Sequence, residues 1–198
     1  MNSSTKLSGW GRTAWSDTHL LSVDRDELVN RLDGREPMIA HGLGRSYGDC
    51  AVIAGGQTIT TDTWLEMSME NGILTAGSGV TLESIMEQWL PHGWFVPVTP
   101  GTRFVTVGGA IASDIHGKNH HKDGTFGCHV VQLDLLVANG DVLTISPKVE
   151  PEIFWATVGG MGLTGVIISA KIRMIQVETS RMRTVTSRFA NVHDLMSA

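Results

Sequence analysis

The run Pro100-Gly-Thr-Arg-Phe-Val-Thr-Val-Gly-Gly-Ala-Ile-Ala-Ser-Asp-Ile-His-Gly-Lys-Asn-His-His121 limits what this chain can become more than any other stretch of it. Glycines, small residues and a basic cluster share one short segment, which can bring bare backbone close to a large ligand. The turn at Pro100-Gly101 and the pair Gly108-Gly109 remove side chains where a bulky anionic group can approach. His116, Lys118, His120 and His121 follow at once with titratable groups. An earlier loop, His41-Gly-Leu-Gly-Arg-Ser-Tyr-Gly-Asp49, has the same character. Two such loops point to one shared cofactor.

With 198 residues, 41% of them hydrophobic, the chain can form one large domain or two small lobes around a substantial core. Its 23 glycines fall in discrete clusters and read as turns, not as low complexity. The formal charge is −5 and the Lys and Arg residues are scattered, so the footprint of a nucleic-acid binder is missing. Cys50 and Cys128 stand far apart in no CxxC pair, which argues against a disulfide scaffold or a cysteine zinc site and for a reducing compartment. The N-terminus has no apolar signal core, and no apolar run approaches the roughly 20 residues that span a bilayer. The expectation is a cytoplasmic chain without a transmembrane segment.

Asp24 followed by apolar positions 28, 29 and 32 predicts a short helix ending near Gly34. Residues 37–40 and 57–61 read as strands, and the first lobe is expected to be small and mixed α/β. Residues 73–76 read as a strand, 77–80 as a turn, and Thr81 caps an amphipathic helix that closes before Pro91. Residues 94–96 lead into the opening segment, and 105–112 are small and apolar enough for a buried helix or turn. Residues 129–138 form a strong strand, and Asn139-Gly140 turns it into a partner at 141–145. Pro151 starts a helix that the glycines of 159–165 break before a strand over 166–174. The second lobe is therefore expected to be richer in antiparallel strands. A further strand at 183–189 and a helix from Val192 suggest that the chain stops inside a next structural unit.

Gly42, Gly44 and Gly48, with Asp62 downstream, only partly match a dinucleotide fingerprint. The third glycine comes one place late and no amphipathic helix follows, so the Rossmann geometry is not supported. The loop alone fits either a backbone nest for a pyrophosphate, with Arg45 and Ser46 as added donors, or an ordinary surface turn. His116, His120, His121 and His129 lack a metal-site pattern such as HExxH, and no metal is expected. His120 and His121 also fit a solvated turn. The six tryptophans, Trp89, Trp94 and Trp155 among them, are expected in the core.

Taken together, Gly9-Trp-Gly-Arg12, the loop 41–49, Pro100-Gly-Thr-Arg103, Thr106-Val-Gly-Gly-Ala-Ile-Ala112, Asp114-Ile-His-Gly-Lys-Asn-His-His121 and the stretch Phe154 to Gly165 resemble the flavin domain of FAD-linked oxidases of the vanillyl-alcohol-oxidase type. Within that family the likeness is to members that oxidise a lipid-linked pentose. The resemblance implies an α+β, two-lobed PCMH-type FAD-binding domain over residues 1–178, with lobes at about 9–65 and 66–178. Residues 179–198 would begin a truncated substrate domain. It implies that FAD is held by Ala40, His41, Gly42, Leu43, Gly44, Arg45, Ser46, Tyr47, Gly48, Asp49 and Cys50 around the pyrophosphate. Gly101, Thr102, Thr106, Val107, Gly108, Gly109, Ser113, Asp114, Ile115, His116 and Ile167 would make the remaining contacts.

Covalent relatives carry a histidine where this chain has Arg45, so FAD is expected to be bound without a covalent bond. Close relatives also have cysteine at Ser113 and arginine at His41. In this class a flavin accepts a hydride from a carbinol carbon while a nearby base takes the hydroxyl proton. His116 is the expected group beside the flavin ring, and Lys118 the contact to an anionic or hydroxylated substrate. The resemblance further implies a sugar or lipid-linked sugar substrate, a short-chain reductase partner, and a place at the inner face of the membrane. A flavin-binding module inactive without its substrate domain, and a sugar or alditol oxidase that uses oxygen, are the alternatives.

Overall fold

The computed structural model describes residues 4–32 and 36–198. Two sheets organise them. In the first, β1 (Ser4–Leu7) pairs antiparallel with β2 (Ser16–Ser22). Helix α1 (Arg25–Arg31) starts where the Asp24 carboxylate accepts the Glu27 N–H at 2.8 Å, and its apolar face buries Leu28. Strands β3 (Met38–His41) and β4 (Gln57–Thr60) complete a sheet of order β1-β2-β4-β3, in which β2, β4 and β3 run parallel.

The second sheet begins with the hairpin β5 (Met67–Glu70) and β6 (Ile73–Gly77). Helix α2 (Leu82–Trp89), β7 (Trp94–Phe95), α3 (Val107–Ala112) and α4 (His120–Asp123) follow. Then come β8 (Val130–Leu136), β9 (Val142–Ile145), α5 (Pro151–Thr157), β10 (Val166–Arg173), β11 (Ile175–Gln176) and α6 (Val192–Met196). The sheet has the order β5-β6-β10-β8-β9 and every pairing in it is antiparallel. β7 and β11 pair antiparallel as a separate two-stranded ribbon, and the chain is thus an α+β fold with one small mixed sheet and one larger antiparallel sheet.

Strand β10 shows how the two sheets join. It is apolar without a break at Val166-Ile167-Ile168 and then alternates, with Ala170 and Ile172 buried and Lys171 and Arg173 exposed. Ile167, Ala170 and Ile172 face a core built with Leu82 and Ile85 of α2, Ile111 of α3 and Phe154 of α5. Val166 and Ile168 point the other way, into a second core with Leu21, Val23, Leu28 and Ile59 of the first sheet's layer. A strand covered on both faces reads as a continuous apolar run, and one covered on a single face alternates. Each of the valine, leucine, isoleucine and phenylalanine side chains stabilises the packing by about 1.5–3 kcal/mol on burial. The Trp64 indole N–H donates to the Val23 carbonyl at 3.1 Å and ties the same junction.

Several sequence expectations need correction. Residues 183–189 alternate like a strand but form none; they are exposed, and no strand among the described residues pairs with them. Helix α2 does close before Pro91, as expected, and a separate 3-10 turn over Leu90–His92 follows it, which tolerates proline near its start. Helix α1 ends at Arg31, and Gly34 lies outside the described residues. Trp10, Trp15 and Trp155 are roughly half exposed instead of buried. Strands β1, β2 and β5 carry little apolar periodicity, so they escaped the sequence reading.

Candidate functional site

A cleft of about 540 Å³, mouth included, lies between the two sheets. Its first wall is the loop that leaves β3. Ala40, His41, Gly42, Ser46, Cys50 and Ala51 line it, with Thr61 beside them. The His41 imidazole closes the loop on itself, Nδ1 donating to the Ala51 carbonyl at 2.7 Å. A carbonyl only accepts, so Nδ1 carries a proton. Among the described residues, the N–H groups of Leu43 to Ala51 make no hydrogen bond to a protein group. Such a run of unspent donors suits an anion.

The second wall comes from the turn after β6, from α3, and from the chain around β10: Ser78, Thr106, Gly108, Gly109, Ala112, Ser113, Met161, Gly162, Gly165 and Ile167. The Thr106 hydroxyl caps α3 by accepting the Gly109 N–H at 3.1 Å. The N–H groups of Val107 and Gly108 donate to the carbonyls of Val80 and Ser78. This wall therefore offers close approach and shape, while the first offers free donors. Its glycines also serve packing. A Cβ on Gly42 would lie 2.6 Å from the Thr106 hydroxyl, and one on Gly108 would lie 2.9 Å from the Ser78 Cβ. Protein meets protein at both points, so the bare backbone there is not reserved for the ligand.

Of the residues singled out in the sequence, Ala40, His41, Gly42, Ser46, Cys50, Thr106, Gly108, Gly109, Ser113 and Ile167 meet on this cleft. The others fall elsewhere. Leu43 and Tyr47 are exposed, Tyr47 at 80%. Gly44 and Gly48 turn with positive φ, and Gly48 and Asp49 face outward. The Arg45 guanidinium lies 4.9 Å from the Trp10 ring centre, a cation–π stack that holds it outside the lining. Gly101 stands in open space, Thr102 accepts the Phe104 N–H, and Val107 is fully buried in the main core.

After α3 the chain reverses at Asp114, whose φ is +40° and whose carboxylate accepts the Gly127 N–H at 2.9 Å. Asp114 is thus a brace for the neighbouring turn, and Ile115 packs on the main core. His116 and Lys118 follow on the surface, with the His116 ring 5.5 Å from that of His120, which in turn stands 5.9 Å from His121. His129 belongs to a separate contact with the Asp123 carbonyl at 2.9 Å. The described residues contain no group of three or more His, Cys, Asp or Glu side chains arranged to hold a metal ion.

Ala51, Thr61, Ser78, Ala112, Met161, Gly162 and Gly165 join the cleft without having been singled out. For Ser78 the usable signal is the glycine turn Gly77-Ser-Gly-Val80, which reads only as punctuation, and for Met161, Gly162 and Gly165 it is the stretch Phe154 to Gly165, which carries the family resemblance without marking these residues as lining.

Residues 31–146 match the model of a family described as FAD binding domain. The chain is 47% identical over 185 residues to decaprenylphosphoryl-beta-D-ribose oxidase of Mycolicibacterium smegmatis, covering 88% of this chain and 40% of that protein. It is 28% identical to D-lactate dehydrogenase of Archaeoglobus fulgidus over 81% of this chain and 38% of the relative. It is also 28% identical to cytokinin dehydrogenase 10 of Oryza sativa subsp. japonica over 65% of this chain and 23% of the relative. The chain spans about two fifths or less of these curated relatives. The chemistry of the lining suits parts of FAD: the unspent N–H groups of Ser46, Cys50 and Ala51 match a pyrophosphate, and Ala112, Met161 and Ile167 offer apolar surface to a flat ring system.

Proposed function

Because this chain belongs to the FAD binding domain family of FAD-linked oxidases, we propose that it is the flavin-holding part of an oxidoreductase that takes a hydride from a secondary alcohol of a sugar. The substrate class is a polyprenyl-phosphate pentose. The observation that carries this reading is the string Asp114-Ile-His-Gly-Lys-Asn-His-His121, which follows directly on the cleft-lining Ser113, in a chain nearly half identical to an oxidase of a lipid-linked ribose. Bound FAD supplies a two-electron acceptor for the hydride of the carbinol carbon.

The residues divide the remaining work. The N–H groups of Ser46, Cys50 and Ala51 hold the pyrophosphate, and Gly42, Gly108 and Gly109 let the two walls close upon it. Ser113 and Ile167 line the cleft towards the ring. His116 takes the substrate hydroxyl proton, and Lys118 meets the anionic or hydroxylated part of the substrate. FAD is held without a covalent bond, because Arg45 stacked on Trp10 occupies the loop position at which covalent relatives carry histidine. A short-chain reductase is the expected next enzyme, and the inner face of the membrane the expected place; no helix of the described residues is long and apolar enough to cross a membrane.

A second reading, a flavin module without turnover of its own, is favoured by the exposure of His116 and Lys118, since hydride transfer proceeds best where water is excluded. One preparation tests both. The purified protein should show flavin absorption bands, release all its flavin on acid precipitation, and bleach anaerobically on addition of a polyprenyl-phosphate pentose. Flavin retained in the precipitate refutes non-covalent binding; a yellow protein that no sugar bleaches supports the module.

A further inference from the structure

We propose that the Ser78 hydroxyl is a cofactor-binding group, donating a hydrogen bond to an acceptor atom of the FAD held in the cleft. The inference rests on the assignment of this cleft to FAD. Ser78 is 1% exposed, and its Oγ has no hydrogen-bond partner among the described residues. Its main chain is already committed: the N–H donates to the Ile168 carbonyl at 2.9 Å and the carbonyl accepts from Gly108 N–H at 2.9 Å. A buried hydroxyl in this condition is costly unless something else satisfies it.

The surroundings leave one place for that partner. Gly77 and Gly79 flank Ser78, and a Cβ on either would strike backbone, 2.4 Å from the Trp64 carbonyl oxygen and 1.7 Å from that of Thr61. The turn is therefore pressed against the first sheet's layer, and Ser78 is the residue that carries a polar side chain at its apex. Gly108 closes the side towards α3. What remains is the cleft, which Ser78 lines together with Thr61, Thr106, Gly108 and Ile167. The two other orphaned buried atoms among the described residues, His19 Nδ1 and Trp89 Nε1, belong to residues that do not line it. Ser78 thus provides from the second wall the side-chain donor that complements the free N–H groups of the first.

Ser78→Ala tests this by moving two quantities in opposite directions. Titration of flavin-stripped protein with FAD, followed by flavin fluorescence, should show affinity lower by about ten-fold, the worth of one neutral hydrogen bond. The melting temperature of the flavin-free protein should be unchanged or higher, because the variant no longer buries an unsatisfied hydroxyl. Equal FAD affinity in wild type and variant overturns the proposal. So does a variant whose flavin-free form melts lower, since the hydroxyl would then be a structural bond of the turn. A wild-type protein that binds no FAD would remove the cleft assignment itself, and this proposal with it.

Discussion

Replacing Gly9 with alanine tests whether the segment between β1 and β2 holds the first cleft wall in shape. A Cβ on Gly9 would sit 1.7 Å from the Gly48 carbonyl oxygen and 2.9 Å from that of Ser46. Both are backbone atoms, so no side chain can swing aside. Carbon and oxygen ordinarily approach to about 3.3 Å, so the two segments must part by roughly 1.5 Å. That separation breaks the hydrogen bond from Trp10 N–H to the Ser46 carbonyl, 2.8 Å long, and pulls Trp10 from under Arg45. The bond is worth about 1 kcal/mol and the exposed cation–π stack about 0.5–1 kcal/mol. A loss of about 1.5–2 kcal/mol lowers the melting temperature of a chain this size by about 3–8 °C. Because residues 43–51 lose their support, FAD affinity measured by fluorescence titration should fall as well. Gly11→Ala is the internal control, since the nearest atom to its Cβ is a Thr13 methyl at an ordinary 3.7 Å. If the Gly9 variant melts and binds FAD like the Gly11 variant, the clasp between these segments has no energetic content and the reasoning fails.

Two further substitutions separate stability from chemistry. Thr81→Ala removes the hydroxyl that accepts the Ser84 N–H at 3.0 Å at the start of α2, and should cost about 1 kcal/mol in thermal or urea unfolding. FAD affinity should stay the same, because Thr81 does not line the cleft. His116→Ala should slow flavin reduction by the substrate about 10²- to 10⁴-fold while FAD binding and melting are unchanged, as rapid-mixing absorbance would show. Unaltered reduction would remove His116 from proton transfer.

Local signals made much of the fold legible. Asp24, Thr81 and Asn191 each stand before a helix and cap it with a side-chain oxygen, and such bonds depend only on near neighbours. The run 130–136, the turn at Asn139-Gly140 and the run 166–173 likewise declare strands by their own composition. Residues 183–189 have the same local look, yet a strand needs a partner for its N–H and C=O groups and they find none among the described residues. Alternation proposes a strand, and pairing decides it.

The site divides along the same line. The two glycine loops and the string Asp114–His121 could be picked out by residue type, because bare backbone and titratable side chains are written directly in the chain. Their final positions could not. Asp114 lies between Ser113, which lines the cleft, and Ile115, which packs in the core, and only the reversal at φ +40° sends its carboxylate to Gly127. Ser78 meets Gly108 from thirty positions away, and Gly165 comes to the same cleft from still further along the chain. By itself the sequence determined the capped helices, the strongly apolar strands and the kind of ligand, since these follow from bonds and shapes within a few residues. Tertiary structure decided which loops face one another, because that depends on β10 being covered on both faces at Val166–Ile168, where a core built largely from residues 21–64 and another built from residues 74–174 close on one strand.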